Sequence, residues 1–532
     1  MSYVYLKNKK NNTTYVYEST GHWSKEKKMC IPERRCIGKL DPETGEILFS
    51  RKYAASISQD DPKSKPGPVP SVESKHSFYG TTYLFDEIGK KLGITDDLAM
   101  CFPDTYKQIQ SLAYYLILED RNPLSRFSKW STTHKHPYGK NIASQRSSEL
   151  FASITEESKE RFFALQGKRR LEQEYLAYDT TSISSYSKSL KQVRFGLNKD
   201  HDPLPQINLA LLFGEQSMLP FYYRKLPGNI PDVKTIKNLI ADMDFLKYGK
   251  VKLILDRGFY SEENINALYQ NHYKFLMAAR VSLRIIQQEL DQVRETIRSR
   301  THYNSSYALN YYTAMISWRY HQDRPYKGDV LEDSRRMYLH IYYNEIQAAE
   351  DKIAFNKFLD DLEEELLSGR RNPEHEKQYT KYYEVNTTPV RGMKLTPKQE
   401  AIAAAEKNYG YLALISNSIK DPFQALDIYR SKDLIEKAFG NLKERLNMRT
   451  TTVSSDISLE GKLFVQFVAL IYLSHVKKMM HDKNLFKSYT IQELLDELDV
   501  IECFENPGCK LRISEMTNKQ KEIYKALEIS LP

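Results

Sequence analysis

The sequence predicts an α/β protein: a mixed sheet with flanking helices, interrupted by a β-rich insertion and preceded by a small β unit and a helical region. Three observations predict it. Strand-length runs, YLAYDTTSIS, PQINLALLFG and MLPFYYRKL, follow one another between Tyr175 and Leu226. Beyond them, further apolar strands alternate with segments of helical period, the pattern of a mixed α/β sheet. The 532 residues are 41% hydrophobic and 28% charged, a globular balance with room for several domains.

Taken in order, residues 1–56 alternate polar and apolar positions, and Asp-Pro-Glu-Thr-Gly at 41–45 marks a turn between strands. This reads as a small β unit. Residues 57–76, rich in Ser, Pro, Lys and Gly, read as a linker. Residues 77–170 carry helical periodicity, as in TYKQIQSLAYYLILED. Arg146, Lys159, Arg161, Lys168, Arg169 and Arg170 make this region basic, either as solvated helix faces or as a DNA-binding surface. Residues 171–280 hold the three strands, a helix from Val233 to Phe245, the strand VKLILD, a helix from Glu262 to Tyr269 and the strand YKFLMAA. Residues 281–405 break the pattern with strand-like YTAMISWRY and RRMYLHIYY and a long charged helix over Asn344–Leu367, and read as an insertion domain. Residues 406–485 resume it with the strand GYLALIS and helices over Pro422–Leu446 and Leu459–Met480; residues 486–532 read as a helical tail.

Composition narrows the function. The formal net charge of +9 suits a polyanionic partner, because Lys and Arg contacts to phosphate drive non-specific DNA binding. The five cysteines form no C-x-x-C pair and read as reduced thiols. The opening MSYVYLKNKKNN lacks the apolar core of a signal peptide, and LFVQFVALIYLS before His475 reads as a buried helix, not a membrane span. A cytoplasmic protein without a membrane partner is expected. No Walker motif implies ATP.

Two aspartates occupy informative places. Asp179 lies within the first strand, in Y-D-T-T-S, and Asp256 ends another, in L-I-L-D-R-G-F. Ligands of open α/β sheets sit beyond the carboxyl ends of the strands. Each aspartate alone also fits a turn or a helix cap. The segment DIYRSKDLIEKAFGNLKERL supplies a third carboxylate. At about 100° per residue, Tyr429, Lys432, Glu436 and Lys443 share an arc of roughly 60°, beside an apolar arc of roughly 140°. The Lys432–Glu436 pair also fits a plain i,i+4 salt bridge on a surface. Three carboxylates together fit a site for two Mg²⁺ or Mn²⁺ ions handling a phosphodiester.

On these residues the chain resembles the DDE transposases of insertion sequences, with an RNase H-like catalytic core. More narrowly, it resembles the group with the motif Y-x2-R-x3-E-x6-K around the catalytic glutamate. Tyr429, Lys432, Glu436 and Lys443 meet that spacing, with Lys432 where the pattern has Arg. Lysine keeps the charge but loses bidentate phosphate geometry. FGLNKDHDPLPQINLALLF, LPGNIPDVKTI, ILDRGFYSEENI and EGKLFVQFVALIYL resemble segments of the same group, so the likeness spans residues 175–480. Asp179 and Asp256 lie 77 residues apart, and Asp256 and Glu436 lie 180 apart. In this family the long gap holds a β-rich insertion domain, the place of residues 281–405.

The resemblance implies cut-and-paste transposition: cleavage at transposon ends, then joining of 3′ hydroxyls to target DNA. It implies that Asp179, Asp256 and Glu436 hold the metals, and that Tyr429, Lys432 and Lys443 contact the DNA backbone. It implies double-stranded DNA with terminal inverted repeats as partner and a homodimer on paired ends. Relatives can form a hairpin on the transposon end, for which a flipped base needs an aromatic platform. Trp318 is a candidate, although a core tryptophan is the plainer reading. His201, Asp202 and Asn229 read as turn positions. Two alternatives stand beside this reading: a catalytically silent or domesticated DNA-binding regulator, and an RNase H-like nuclease that does not transpose.

Overall fold

The computed structural model describes residues 2–11, 13–24, 27–42, 45–50, 53, 74–119, 122–170, 174–187, 189–248, 251–324, 328–388, 392–446, 448–451, 453 and 455–532. These divide into two compact units, Met1–Ser77 with Glu502–Ser514, and Phe78–Ile501 with Glu515–Pro532.

In the first unit, β1 (Ser2–Asn8), β2 (Thr13–Ser24), β3 (Met29–Leu40) and β4 (Ile47–Phe49) form an antiparallel sheet in that order. The expected turn closes β3 onto β4: Gly45, at φ 71°, donates its N–H to the Asp41 carbonyl at 3.0 Å. The sheet is thin, and its buried centre is Val16, Ile37 and Tyr53. Most of the expected linker, residues 57–73, lies outside the described residues. Its end does not: Lys75–Phe78 is a strand beside Glu502–Glu505, which pairs in turn with Arg512–Ile513. The tail is therefore not wholly helical. Lys75–Phe78 and Glu502–Glu505 owe their form to partners more than 400 residues apart in sequence, which local periodicity does not reveal.

The second unit is built on one large sheet. β5 (Leu176–Ser185), β6 (Gln206–Gly214) and β7 (Pro220–Pro227) run as an antiparallel meander. β8 (Lys252–Leu255) lies parallel to β5 on its other side, and β9 (Lys274–Ala279) lies parallel to β8. The order β7-β6-β5-β8-β9 is the RNase H-like mixed sheet expected. Parallel neighbours need crossovers, supplied by the helices Thr235–Phe245 and Glu262–Gln270.

The segment expected as a separate insertion does not stand apart. β10 (Leu309–Arg324) and β11 (Asp329–Tyr343) form a long hairpin, and β11 pairs with β12 (Tyr411–Ser416), itself paired with β9. The insertion thus extends the main sheet through backbone hydrogen bonds. Only its distal part has a core of its own: Leu359, Leu362 and Leu366 of the helix Glu345–Ser368 pack on Tyr379, Tyr382 and Tyr383.

The helical region also shares the main core. Its centre is the 27-residue helix Asp456–Asp482, buried without a break from Leu463 to Val476. Phe464 packs against Phe102 and Phe162, Phe467 against Phe163 and Tyr223 of β7, and Tyr472 against Phe85 and Tyr114. Each large side chain so buried contributes about 1.5–3 kcal/mol. The helix is long and apolar enough to cross a membrane, yet it is a spine enclosed by protein. Of the basic residues noted upstream, Lys159 is buried between Glu156 (2.6 Å) and Glu460 (3.0 Å), and Arg169 grips Asp97 with two nitrogens. Those two cations are committed to internal pairs.

Candidate active site

Strand register brings the two aspartates together. Tyr178 of β5 pairs with Leu255 of β8, so Asp179 and Asp256 are the next residues on adjacent parallel strands, which lie about 4.8 Å apart. Every residue of β5 is buried except Asp179, which is half-buried. Asp256 follows the end of β8 and opens the turn Arg257–Phe259. Asp256 therefore stands at the carboxyl end of β8, and Asp179, within β5, lies level with it.

Glu436 arrives from a helical segment that is not the single helix expected. Asp421 caps Pro422–Arg430 by accepting the Gln424 amide, and Pro422 sits at its first turn. The chain then turns through Ser431 and Lys432, resumes as Asp433–Gly440, and widens to a π-turn over Asn441–Arg445. Ile435, Ala438, Phe439 and Leu442 still bury the apolar face. π-turns of this kind occur often at functional sites.

The polar stripe meets the aspartates. Tyr429 donates its hydroxyl to Asp256 Oδ1 at 2.9 Å. Lys432 Nζ lies 3.4 Å from Asp256 Oδ2 and 3.3 Å from Glu436 Oε1. Burial works against the Lys432 charge, but Asp256, Asp179 and Glu436 together hold its pKa above the ordinary lysine value. Three carboxylates thus converge electrostatically on one ammonium. Burial raises Asp256 as well, and Lys432, the Arg257 amide and the Tyr429 hydroxyl outweigh it, so its pKa lies below the ordinary carboxylate value. Asp179 moves the other way: burial raises its pKa, and Lys199 and Lys432 only partly oppose this. Tyr429 is raised by burial and by Asp256, so it remains a donor at neutral pH.

Sequence reasoning missed a second network beside Asp179. Lys199 Nζ lies 3.4 Å from Asp179 Oδ1 and 3.0 Å from Asp232 Oδ2, and donates to the Thr180 carbonyl at 2.7 Å. Thr180 also donates its hydroxyl to Asp232. Asp232 belongs to a motif-like segment, but nothing in its spacing indicates that it folds back onto β5.

The family model described as "Transposase DDE domain" matches residues 172–472, which include all three carboxylates. The chain belongs to the DDE transposase family. No curated protein matches it. Among solved structures, the cryo-EM structure of a piggyBac transposase synaptic complex with hairpin DNA is similar at 11% identity and a TM-score of 0.35, over 76% of this chain and 70% of that one.

Within the DDE transposase domain, the remaining expected residues are placed as follows. Lys443 points away from the carboxylates to Asp200, at 2.6 Å. The sequence arc assumed a regular helix, and Lys443 lies in the widened turn. Trp318 is 6% exposed, and its ring nitrogen donates to Asn266 at 2.9 Å. A stacking platform needs an open ring face, and Trp318, although it lines a cleft with Arg284 and Arg319, is almost wholly covered within the packing of β10. His201 takes a left-handed turn conformation, and Asp202 caps the Leu204 amide.

Proposed function

We propose that the chain is a cut-and-paste insertion-sequence transposase that cleaves double-stranded DNA at terminal inverted repeats and joins the freed ends to target DNA. The convergence of Asp179, Asp256 and Glu436 on the Lys432 ammonium carries this reading, because a carboxylate set that holds one cation has the chemistry to hold others. Among the described residues, no three Asp, Glu, His or Cys side chains meet closely enough to hold a metal as they stand. The donors fit nonetheless. All three are hard oxygen ligands suited to Mg²⁺ or Mn²⁺, and Glu436, 58% exposed, has Lys432 as its ion-pair partner.

Asp179, Asp256 and Glu436 would hold one or two such ions. When bound, the ions would activate the attacking oxygen and stabilise the leaving oxygen of an in-line displacement. The chain's own residues prepare that chemistry. Asp256, held below the usual carboxylate range, stays ionised. Tyr429 stays protonated and fixes the Asp256 carboxylate by its hydrogen bond. Lys432 stays charged beside the site and would meet the DNA backbone there; Lys443 would have to leave Asp200 to do so. Pairing of two transposon ends implies a homodimer on DNA.

The test is cleavage of a labelled duplex taken from DNA bordering the gene, with Mg²⁺ or Mn²⁺, by the wild type and by Asp179→Ala, Asp256→Ala and Glu436→Ala. The expected result is cleavage by the wild type, and binding without cleavage by all three variants. Normal cutting by any variant removes that residue from the site. A wild type that binds but never cuts with either metal favours the silent regulator.

A further inference from the structure

A cleft begins at Lys199, the ion-pair partner of Asp179, and at Arg257, the residue after Asp256. Its first part, about 510 Å³, is lined by Lys199, Asp232, Arg257 and Arg280. Its second part, about 760 Å³, is lined by Arg284, Arg319, Glu262 and Glu332. Tyr260 and Leu283 line both parts, which makes the two one continuous groove.

The charges of this groove are unevenly matched. Lys199 neutralises Asp232 at 3.0 Å, and Arg319 pairs with Glu332 at 3.1 Å. Arg257, Arg280 and Arg284 are all exposed, and among the described residues none has a carboxylate within ion-pair distance. Glu262 is the remaining acid. Three unpaired guanidinium groups in one groove give a local positive field, which a cleft with low-dielectric walls concentrates. Guanidinium groups also match phosphate geometry in bidentate fashion.

Their positions follow from the sheet. Arg257 comes directly after Asp256 at the end of β8, and Arg280 directly after Ala279 at the end of β9. Arg284 opens the next helix, Arg284–Val293. The same carboxyl edge that presents Asp256 therefore also presents the arginines, in chain order away from it.

We propose that Arg257, Arg280 and Arg284 form a track for the phosphates of one DNA strand leading to the carboxylate site. The inference rests on the transposase reading for its choice of DNA as the polyanion. Each phosphate contact releases condensed counterions, so each adds about 0.9 to the magnitude of the slope of log affinity against log salt.

The test measures metal-free binding of the full chain to a short fluorescein-labelled duplex, by anisotropy across a salt series. Replacing the three arginines together (Arg257→Gln, Arg280→Gln, Arg284→Gln) is expected to reduce the slope by about 2.7, from about 0.9 per contact. The corresponding triple lysine variant is expected to restore it, and Arg370→Gln, an exposed arginine on another segment, to leave it unchanged. If the triple variant fails to fold, Arg280→Gln alone is expected to reduce the slope by about 0.9. An unchanged slope in folded variants overturns the track, whatever the carboxylate variants do. A reduced slope in a protein that never cuts DNA supports the track and counts against the catalytic reading instead.

Discussion

Lys432 is a monovalent cation paired with Asp256 and Glu436 and within the field of Asp179, and this makes it a competitor for any divalent ion that binds there. Two unit charges about 4 Å apart interact by about 1 kcal/mol in water and by about 4 kcal/mol at an effective dielectric near 20. Lys432 is largely buried, with 12% of its side chain exposed, so its repulsion of an incoming metal lies between these limits. Lys432→Met is therefore expected to tighten Mn²⁺ binding to the DNA-free protein roughly tenfold, since about 1.4 kcal/mol corresponds to one decade. Isothermal calorimetry reads this without reference to activity. Unchanged or weaker Mn²⁺ binding removes Lys432 from competition with the metal. The same variant is expected to weaken DNA binding, because the cation that opposes the metal is also one that a phosphate would contact.

Helix against helix, the tightest constraint lies at Gly461. A Cβ there would stand 2.5 Å from the Phe151 Cα, so the spine Asp456–Asp482 and the helix Ser144–Ser153 meet backbone to backbone. Alanine in place of glycine gains about 1 kcal/mol of helix propensity. Overpacking costs about 1–3 kcal/mol, and a backbone neighbour cannot rotate aside. Against backbone the upper part of that range applies, about 2–3 kcal/mol, so Gly461→Ala is expected to be net destabilising by about 1–2 kcal/mol, read as a lower urea midpoint with an unchanged slope; a neutral or stabilised variant shows that the two helices do not meet so closely. Elements whose form is set locally were legible in the sequence. β5 to β9, the helix Glu345–Ser368 and the spine all announce themselves by apolar run or period. Asp179 and Asp256 were legible for the same reason, since each belongs to or directly follows an apolar strand run. What was not legible depends on distant partners. The β10–β11 hairpin joins the main sheet only because β12 lies between β11 and β9. Lys199 and Asp232 meet Asp179 through loop conformations with no period. The π-turn that sends Lys443 to Asp200 arises inside a segment whose pattern reads as one regular helix.

For the whole molecule, pH acts on the helical region through a buried histidine and a half-buried aspartate that titrate against each other. His136 is 7% exposed, and burial pushes its pKa down to about 4 from an ordinary 6.5. Between those values the unfolded chain binds the extra proton, so this histidine's contribution is complete above pH 6.5 and lost as pH falls toward 4. Asp86 has the opposite sign. Burial pushes its pKa up to about 6 from an ordinary 3.8, against the hydrogen bond it accepts from Tyr114 at 2.9 Å. There the folded chain binds the extra proton, so its contribution is complete below pH 3.8 and lost as pH rises through 6. Each shift spans a little over two pH units, at most about 3 kcal/mol at 1.36 kcal/mol per unit, and the two slopes largely cancel between pH 4 and 6. Asp86→Asn removes one of them. The variant is expected to gain stability relative to the wild type as pH rises from 4 to 6.5, by at most about 3 kcal/mol, with most of the change complete by pH 6. Urea unfolding of both proteins across that range measures the difference directly, and a difference that does not vary with pH shows that Asp86 keeps an ordinary pKa in the folded chain.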